Sequence, residues 1–224
     1  IGGVIAAGLS GPRRAHAGAA RDFVLGAVLL AVDGEALHFG GKVMKNVAGF
    51  GVSRLLCGSL GILGPILEVS VKVMPQPREE QTLRFELSEA AALEAFNRWA
   101  GQPLPVSASA WWSGAAYLRL SGAPAAVRAA RTRLGGETLE RAAATEWWRE
   151  LRSQRHTLFG AVPNLWRLAV PSSAAPLALA GAELIEWGGA LRWCASELPS
   201  GDVRRIATAA GGTALHWRGG AAGG

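Results

Sequence analysis

Pro75-Gln76-Pro77 divides the chain into two stretches with different residue vocabularies. Proline lacks a backbone N–H and fixes φ, so two prolines this close stop both a helix and a central strand from running through. All three lysines (Lys42, Lys45, Lys72) lie before this point, and all nine tryptophans lie after it, the first at Trp99. The expected organisation is therefore two domains, 1–78 and 79–224. Half of the 224 residues are hydrophobic, enough for a sizeable packed core and too many for an intrinsically disordered chain.

The first stretch reads as glycine-punctuated strands. Val24 to Val32 forms a strand, Asp33-Gly34 a tight turn and Glu35 to Phe39 the returning partner. Val52 to Cys57 fits a short helical turn, and Ile66 to Met74 a strand with one apolar and one polar face. The second stretch is more regular. It reads as a strand from Thr82 to Leu87, a helix capped by Ser88 through Trp99, strands Val106 to Trp112 and Tyr117 to Ser121, a helix from Pro124 to Gly135-Gly136, and a strand from Glu137 to Arg141. That order is βαββαβ. A helix capped by Thr145 follows, and the order then recurs: strand Leu165 to Val170, a short helix Ser172 to Ala180, a hairpin of Glu183 to Trp187 with Ala190 to Ala195, helix Ser200 to Ala210 and strand Thr213 to Trp217. Two split βαβ units of the ferredoxin-like kind predict an α+β domain with helices on one side of an antiparallel sheet.

Charge and cysteine content exclude several function classes. Subtracting 17 acidic from 23 basic residues leaves +6, a bias towards anionic ligands, but the cations are scattered, with no block that reads as a nucleic-acid or membrane arm. Arg149, Arg152 and Arg155 fall at i, i+3 and i+6, either a stripe for a partner protein or a solvated face paired with Glu146 and Glu150. Cys57 and Cys194 cannot supply four thiolates, so the chain houses no iron–sulfur or zinc site of that kind, and so sparse a pair fits a reducing compartment. His16, His38, His156 and His216 have no metal-type spacing, so no metal is expected. Trp111-Trp112 and Trp147-Trp148 suggest base stacking at first sight, but adjacent side chains point in different directions, which favours packing over nucleic acid. Val24 to Val32 is about half the length of a bilayer span. Arg13-Arg14 follow the apolar run before Ala15-His16-Ala17, the reverse of a signal peptide. Ile1, in a glycine-rich turn with no Met, reads as an internal position of a longer chain.

Two segments look chemical: Ile1 through Arg14, and Cys57-Gly58-Ser59-Leu60-Gly61-Ile62-Leu63-Gly64. Small residues leave backbone N–H groups uncovered, and successive uncovered donors can approach a pyrophosphate. The second segment is not the Rossmann fingerprint, because a strand follows it where a helix is required, and it lacks the Lys-Ser/Thr of a P-loop. Tight turns in a twisted sheet remain the alternative reading of both.

Gly2-Gly3, Gly8-Leu9-Ser10-Gly11-Pro12-Arg13-Arg14, Arg21 through Gly26, Gly41-Lys42-Val43-Met44-Lys45-Asn46-Val47-Ala48-Gly49-Phe50, Ser53-Arg54-Leu55 and Gly58-Ser59-Leu60-Gly61 occur in one order, ending at Pro75-Gln76-Pro77. Together they resemble the FAD-binding subunits of bacterial glycolate oxidases, flavoproteins of the vanillyl-alcohol oxidase and p-cresol methylhydroxylase type. The resemblance covers about the first third of the chain. It implies the second half of a p-cresol methylhydroxylase-type FAD domain followed by an α+β cap. It also implies that Gly2, Gly3, Ser10 and Gly11 lie along the pyrophosphate and flavin, and that Gly58, Ser59, Gly61, Gly64 and Ile66 line the other side. Two positions depart from the family: Gly51, where Asp is usual, and Pro65, which removes a donor next to Ile66. Lys45 and Asn46 either reach flavin phosphate or an acidic substrate, or Asn46 bonds its own loop.

The function implied is FAD-dependent oxidation of a 2-hydroxy acid such as glycolate, in which the C–H hydrogen passes to flavin as a hydride and a base, unidentified here, accepts the hydroxyl proton. A second, larger flavin subunit and an iron–sulfur subunit are the implied partners, with the chain cytoplasmic and peripheral at the inner face of the cytoplasmic membrane. The family's FAD domain has another phosphate loop upstream of Gly2, so half a cofactor site is expected here. The alternatives are a structural or assembly subunit with catalysis in its partner, and a related flavoprotein acting on another hydroxy acid such as lactate.

Overall fold

A computed structural model of the chain describes residues 1–42, 51–160, 162 and 164–219. Lys45 and Asn46 lie outside the described residues. The chain divides into two compact units, Ile1–Gln76 and Pro77–Gly224.

Unit 1 contains α1 (Gly2–Ala7), α2 (Arg14–Ala17), α3 (Ala20–Phe23), β1 (Val24–Leu30), β2 (Ala36–Gly40), α4 (Val52–Leu55) and β3 (Ile66–Val71). The strands form a three-stranded antiparallel sheet in the order β2-β1-β3. The β1–β2 turn falls at the expected place but takes three residues, Val32-Asp33-Gly34, instead of two: Ala31 N donates to Glu35 O at 2.8 Å, Gly34 N to Ala31 O at 3.0 Å, and Asp33 Oδ1 accepts from Glu35 N at 3.1 Å. A small core of Ala27, Leu29 and Leu56 holds α4 against the sheet, with Phe39 and Ile66 packed on it. Gly2-Gly3, expected in a turn, instead open a helix. Ala6 and Ala7 favour helix, Ile5 is buried along it, and two glycines in the first turn cost only about 1 kcal/mol each.

Unit 2 contains β4 (Glu79–Glu86), α5 (Glu89–Ala100), β5 (Val106–Trp112), β6 (Ala115–Gly122), α6 (Pro124–Leu134), β7 (Glu137–Thr138), α7 (Arg141–Ser153), α8 (Thr157–Gly160), β8 (Leu165–Ala169), β9 (Ala182–Glu186), β10 (Leu191–Ala195), α9 (Ser200–Ala209) and β11 (Thr213–Arg218). All its strands form one antiparallel sheet, β11-β8-β10-β9-β5-β6-β4-β7. Each half has the same order, 4-1-3-2 when its strands are numbered from one, which is the split βαβ arrangement read from the sequence. The halves join edge to edge through β5 and β9, where Trp111 pairs with Ile185.

Three sequence expectations are corrected here. The helices do not lie on one side. Ala116, Leu118 and Leu120 of β6 meet α5 and α6, whereas Tyr117 between them stacks on Trp147 of α7 with ring centres 4.2 Å apart. Alternate strand residues face opposite ways, so α7 covers the other face. Residues 171–180 form an extended strap instead of a helix, because Pro176 has no N–H and its ring collides with the carbonyl four residues back. Leu177 and Leu179 of the strap cover Trp166, Leu168 and Cys194, beside α9. Finally, α7 is capped by Glu140, whose carboxylate accepts from Ala142 N at 2.7 Å and Ala143 N at 3.0 Å. Thr145 sits inside that helix and donates to Arg141 O.

Candidate functional site

The two glycine-rich segments meet in unit 1. The last carbonyls of a helix have no intrahelical donors. Those of α1 accept from the second segment: Gly58 N donates to Ile5 O at 3.0 Å and Leu60 N to Ala6 O at 2.8 Å. Gly8, at φ 63°, ends α1 and lets the segments touch, since a Cβ there would lie 3.0 Å from Gly58 Cα. Gly64 turns the chain into β3 at φ 125°, where a Cβ would lie 2.6 Å from Leu30 O.

Between α1 and the start of β3 lies an open cleft of about 270 Å³, lined by Gly2, Gly3, Ala6, Gly61, Gly64, Pro65 and Ile66. A Cβ on Gly3 or Gly61 would meet no atom within 4 Å, so the backbone at both faces open space. Five of the nine candidate residues therefore come together: Gly2, Gly3, Gly61, Gly64 and Ile66. The other four do not line this cleft. Ser10 Oγ accepts from Ala20 N at 3.0 Å and ties the loop before α3, and Gly11 O accepts from Arg14 N. Gly58 N is used on α1, and Ser59 Oγ donates to Leu56 O at 3.0 Å. Ala6 was missed. Its spacing of four from Gly2 and three from Gly3 would have placed it on their face had the segment been read as helical.

Open backbone beside a cleft fits a ligand that approaches the main chain closely, as a dinucleotide does. Pro65 supplies no donor, so the wall at β3 makes its contacts with Ile66 and the glycine turn. Near the cleft segments, burial raises the Cys57 thiol, with the Arg21 charge opposing. Burial lowers the His16 imidazole.

Unit 2 holds buried polar groups that the sequence reading did not single out. Glu186 is 4% exposed; Oε2 accepts from Trp193 Nε1 at 2.9 Å, and Oε1 has no hydrogen-bond partner among the described residues. Burial pushes its carboxyl up to about 7, against the Trp193 bond and the Arg167 charge. The signal was a carboxylate in register with Leu184 inside an apolar strand. His156 lies edge-on to Trp112 and Trp147, with ring centres 4.8 and 4.9 Å apart, and burial lowers its pKa. Both tryptophan pairs split between environments: Trp111 donates to Leu87 O, and Trp148 to Thr82 Oγ1, while Trp112 and Trp147 meet His156. Arg149 pairs with Glu146 at 2.5 Å. Among the described residues no group of three His, Cys, Asp or Glu is placed to hold a metal, and no helix is long and apolar enough to cross a membrane.

No protein-family model matches the chain. It is 45% identical over 219 residues to glycolate oxidase subunit GlcE of Escherichia coli (strain K12), which covers 98% of this chain and 61% of that protein. It is 36% identical over 109 residues to glycolate oxidase subunit GlcD of Bacillus subtilis, covering 48% of this chain and 23% of that one. A D-lactate dehydrogenase of Archaeoglobus fulgidus is 35% identical over 83 residues, covering 37% and 19%. Among solved structures, alkyldihydroxyacetonephosphate synthase superposes with a TM-score of 0.62 at 14% identity, over 95% of this chain and 53% of that one, and so shares the α+β fold. The chain spans about three fifths of GlcE, and over that span it is a relative of this bacterial glycolate oxidase subunit.

Proposed function

We propose that the chain is part of the FAD-binding subunit of a multi-subunit glycolate oxidase, oxidising a 2-hydroxy acid. The observation that carries this reading is the 45% identity to GlcE across 98% of the chain. The cleft supports it, because it gathers uncovered backbone where the two glycine-rich segments meet. Gly2, Gly3, Gly61, Gly64 and Ile66 hold FAD along the cleft, while Ser10, Gly11, Gly58 and Ser59 keep the segments in shape around it. When bound, FAD supplies the acceptor for the electrons of the hydroxy acid. The electrons leave through an iron–sulfur partner subunit, since Cys57 and Cys194 cannot ligate a cluster themselves. A second flavin subunit completes the complex, which works in the cytoplasm, peripheral at the inner face of the membrane.

Oxidation of lactate is a second reading, favoured by the match to a D-lactate dehydrogenase over 83 residues of the chain. One experiment separates these from a purely structural subunit. The complete gene is expressed alone, its flavin absorbance recorded, and glycolate or D-lactate added without oxygen. Bleaching by glycolate is expected. Bleaching by lactate alone selects the second reading, and bound flavin that neither acid reduces removes the catalytic one.

A further inference from the structure

The strap of residues 171–180 stands where the first repeat has a helix; within it Ala174 N donates to Pro171 O and Leu179 N to Leu177 O, and without a helical ladder the carbonyls of Ser172 and Ala174 need donors from outside. Neighbours supply the donors. Asn97 of α5 donates to Ser172 O at 2.9 Å and accepts from Ser172 Oγ at 3.0 Å. Arg192 of β10 donates through Nη2 to Ala174 O at 2.9 Å and through Nε to Gly189 O at 2.9 Å. Its side chain is fully buried, and its remaining nitrogen, Nη1, faces two carboxylates: Glu89 Oε1 of α5 at 3.3 Å and Glu183 Oε1 of β9 at 3.7 Å. These carboxylate side chains are 22% and 8% exposed, and Glu183 Oε1 makes no hydrogen bond among the described residues.

Two carboxylates against one guanidinium leave an excess negative charge where little water reaches it, and one proton on the pair removes that charge. Burial pushes the Glu183 carboxyl up to about 7, with Glu89 adding to the rise and Arg192 opposing it, and burial raises Glu89 as well. The proton belongs to the coupled pair. Cys194 on β10 also feels both carboxylates, but its thiol is pushed up to about 12 and stays neutral. The strap carries no titratable side chain. On α9, Arg204 lies over the Trp166 ring, and Asp202 pairs with Arg205.

We propose that Glu89, Arg192 and Glu183 form a proton-operated latch, in which the shared proton keeps the strap on α5 and β10 and its loss releases the strap. Deprotonation draws Glu183 and Arg192 towards water and breaks the Arg192–Ala174 bond. A carboxyl that titrates higher in the closed state than in the open one binds its proton more tightly when closed. The latch is therefore closed in acid and loosens as pH rises through about 7.

Amide hydrogen exchange of the strap in the full chain tests this, with rates corrected for intrinsic pH dependence. The opening equilibrium is expected to rise by up to about tenfold per pH unit below pH ~7 and to level off above it. Glu183→Gln should abolish the rise, and Glu186→Gln, altering a carboxyl on the opposite face, should leave it intact. A strap whose opening ignores pH, or a rise that survives Glu183→Gln or disappears with Glu186→Gln, overturns the latch. Should Glu183→Gln not fold, carboxyl carbon shifts of Glu89 and Glu183 in the unaltered chain decide. Titration with the strap's midpoint supports the latch, and titration apart from it overturns it.

Discussion

Gly64 and Gly3 are glycines for different reasons, and substitution separates them. At Gly64 both φ and the 2.6 Å approach to Leu30 O forbid a side chain. Gly64→Ala is expected to destabilise unit 1 by about 1–3 kcal/mol, seen as a lower urea midpoint. Gly3 is helical and its Cβ position is empty. Gly3→Ala should leave stability unchanged or raise it by up to about 1 kcal/mol, yet weaken flavin binding by the complete protein, because the added methyl enters the cleft. Equal flavin affinity in that variant would argue that FAD does not pass Gly3. Glu186 gives a pH signature of its own. Its carboxyl is raised from the ordinary 4.5 to about 7 in the fold, so its contribution is full below pH ~4.5 and is lost as pH rises through about 7. Glu186→Gln should flatten that loss, on the order of 3 kcal/mol at most, in urea titrations run at pH 5 and pH 8. Glycine positions were legible because their chemistry is local. Glu186 was not, since nothing in Leu184-Ile185-Glu186-Trp187 says that Trp193 will come to lie over the carboxylate.

Elements with their own start and stop signals formed where the sequence put them. Ser88 opens α5 by accepting from Ala91 N at 3.3 Å, and Pro124 and Gly135 bound α6. Ser88→Ala is expected to cost about 1 kcal/mol in the unfolding of unit 2, measured by denaturant titration; no change would mean that packing of Phe96 and Trp99 alone holds α5. Elements decided by competition were read less well. Thr145 looks like a cap, but Glu140 reaches two N–H groups from one oxygen and its carboxyl is held below the usual range by those bonds. Ser172 to Ala180 has helical spacing of Leu and Ala, and Pro176 overrides it. The strap then depends on donors from Asn97 and Arg192, which lie 75 and 18 residues from their acceptors.

At the scale of the whole molecule, the shared β5–β9 edge makes unit 2 one sheet instead of two separate repeats. Residues 77–224 should therefore melt in a single calorimetric transition, and two resolved transitions would show that the repeats fold independently. Drug-sized ligands occupy pockets of roughly 300–1,000 Å³, and a dinucleotide is larger than these, so an open cleft of about 270 Å³ covers only part of FAD. The 224-residue chain by itself is accordingly expected to retain well under one FAD per chain on purification, and a stoichiometric yellow protein would refute that. The sequence by itself determined the α+β class, the first βαββαβ run, the strands of its repeat and the two glycine-rich segments, because turn chemistry, caps and strand periodicity act over a few residues. Only the tertiary structure decided that the repeats share one sheet, that α7 covers its second face, and that the glycine-rich segments interlock through Gly8 and Gly58. It alone also placed Arg192 between Glu89 and Glu183, because each of these depends on groups far apart in the chain whose meeting no local pattern encodes.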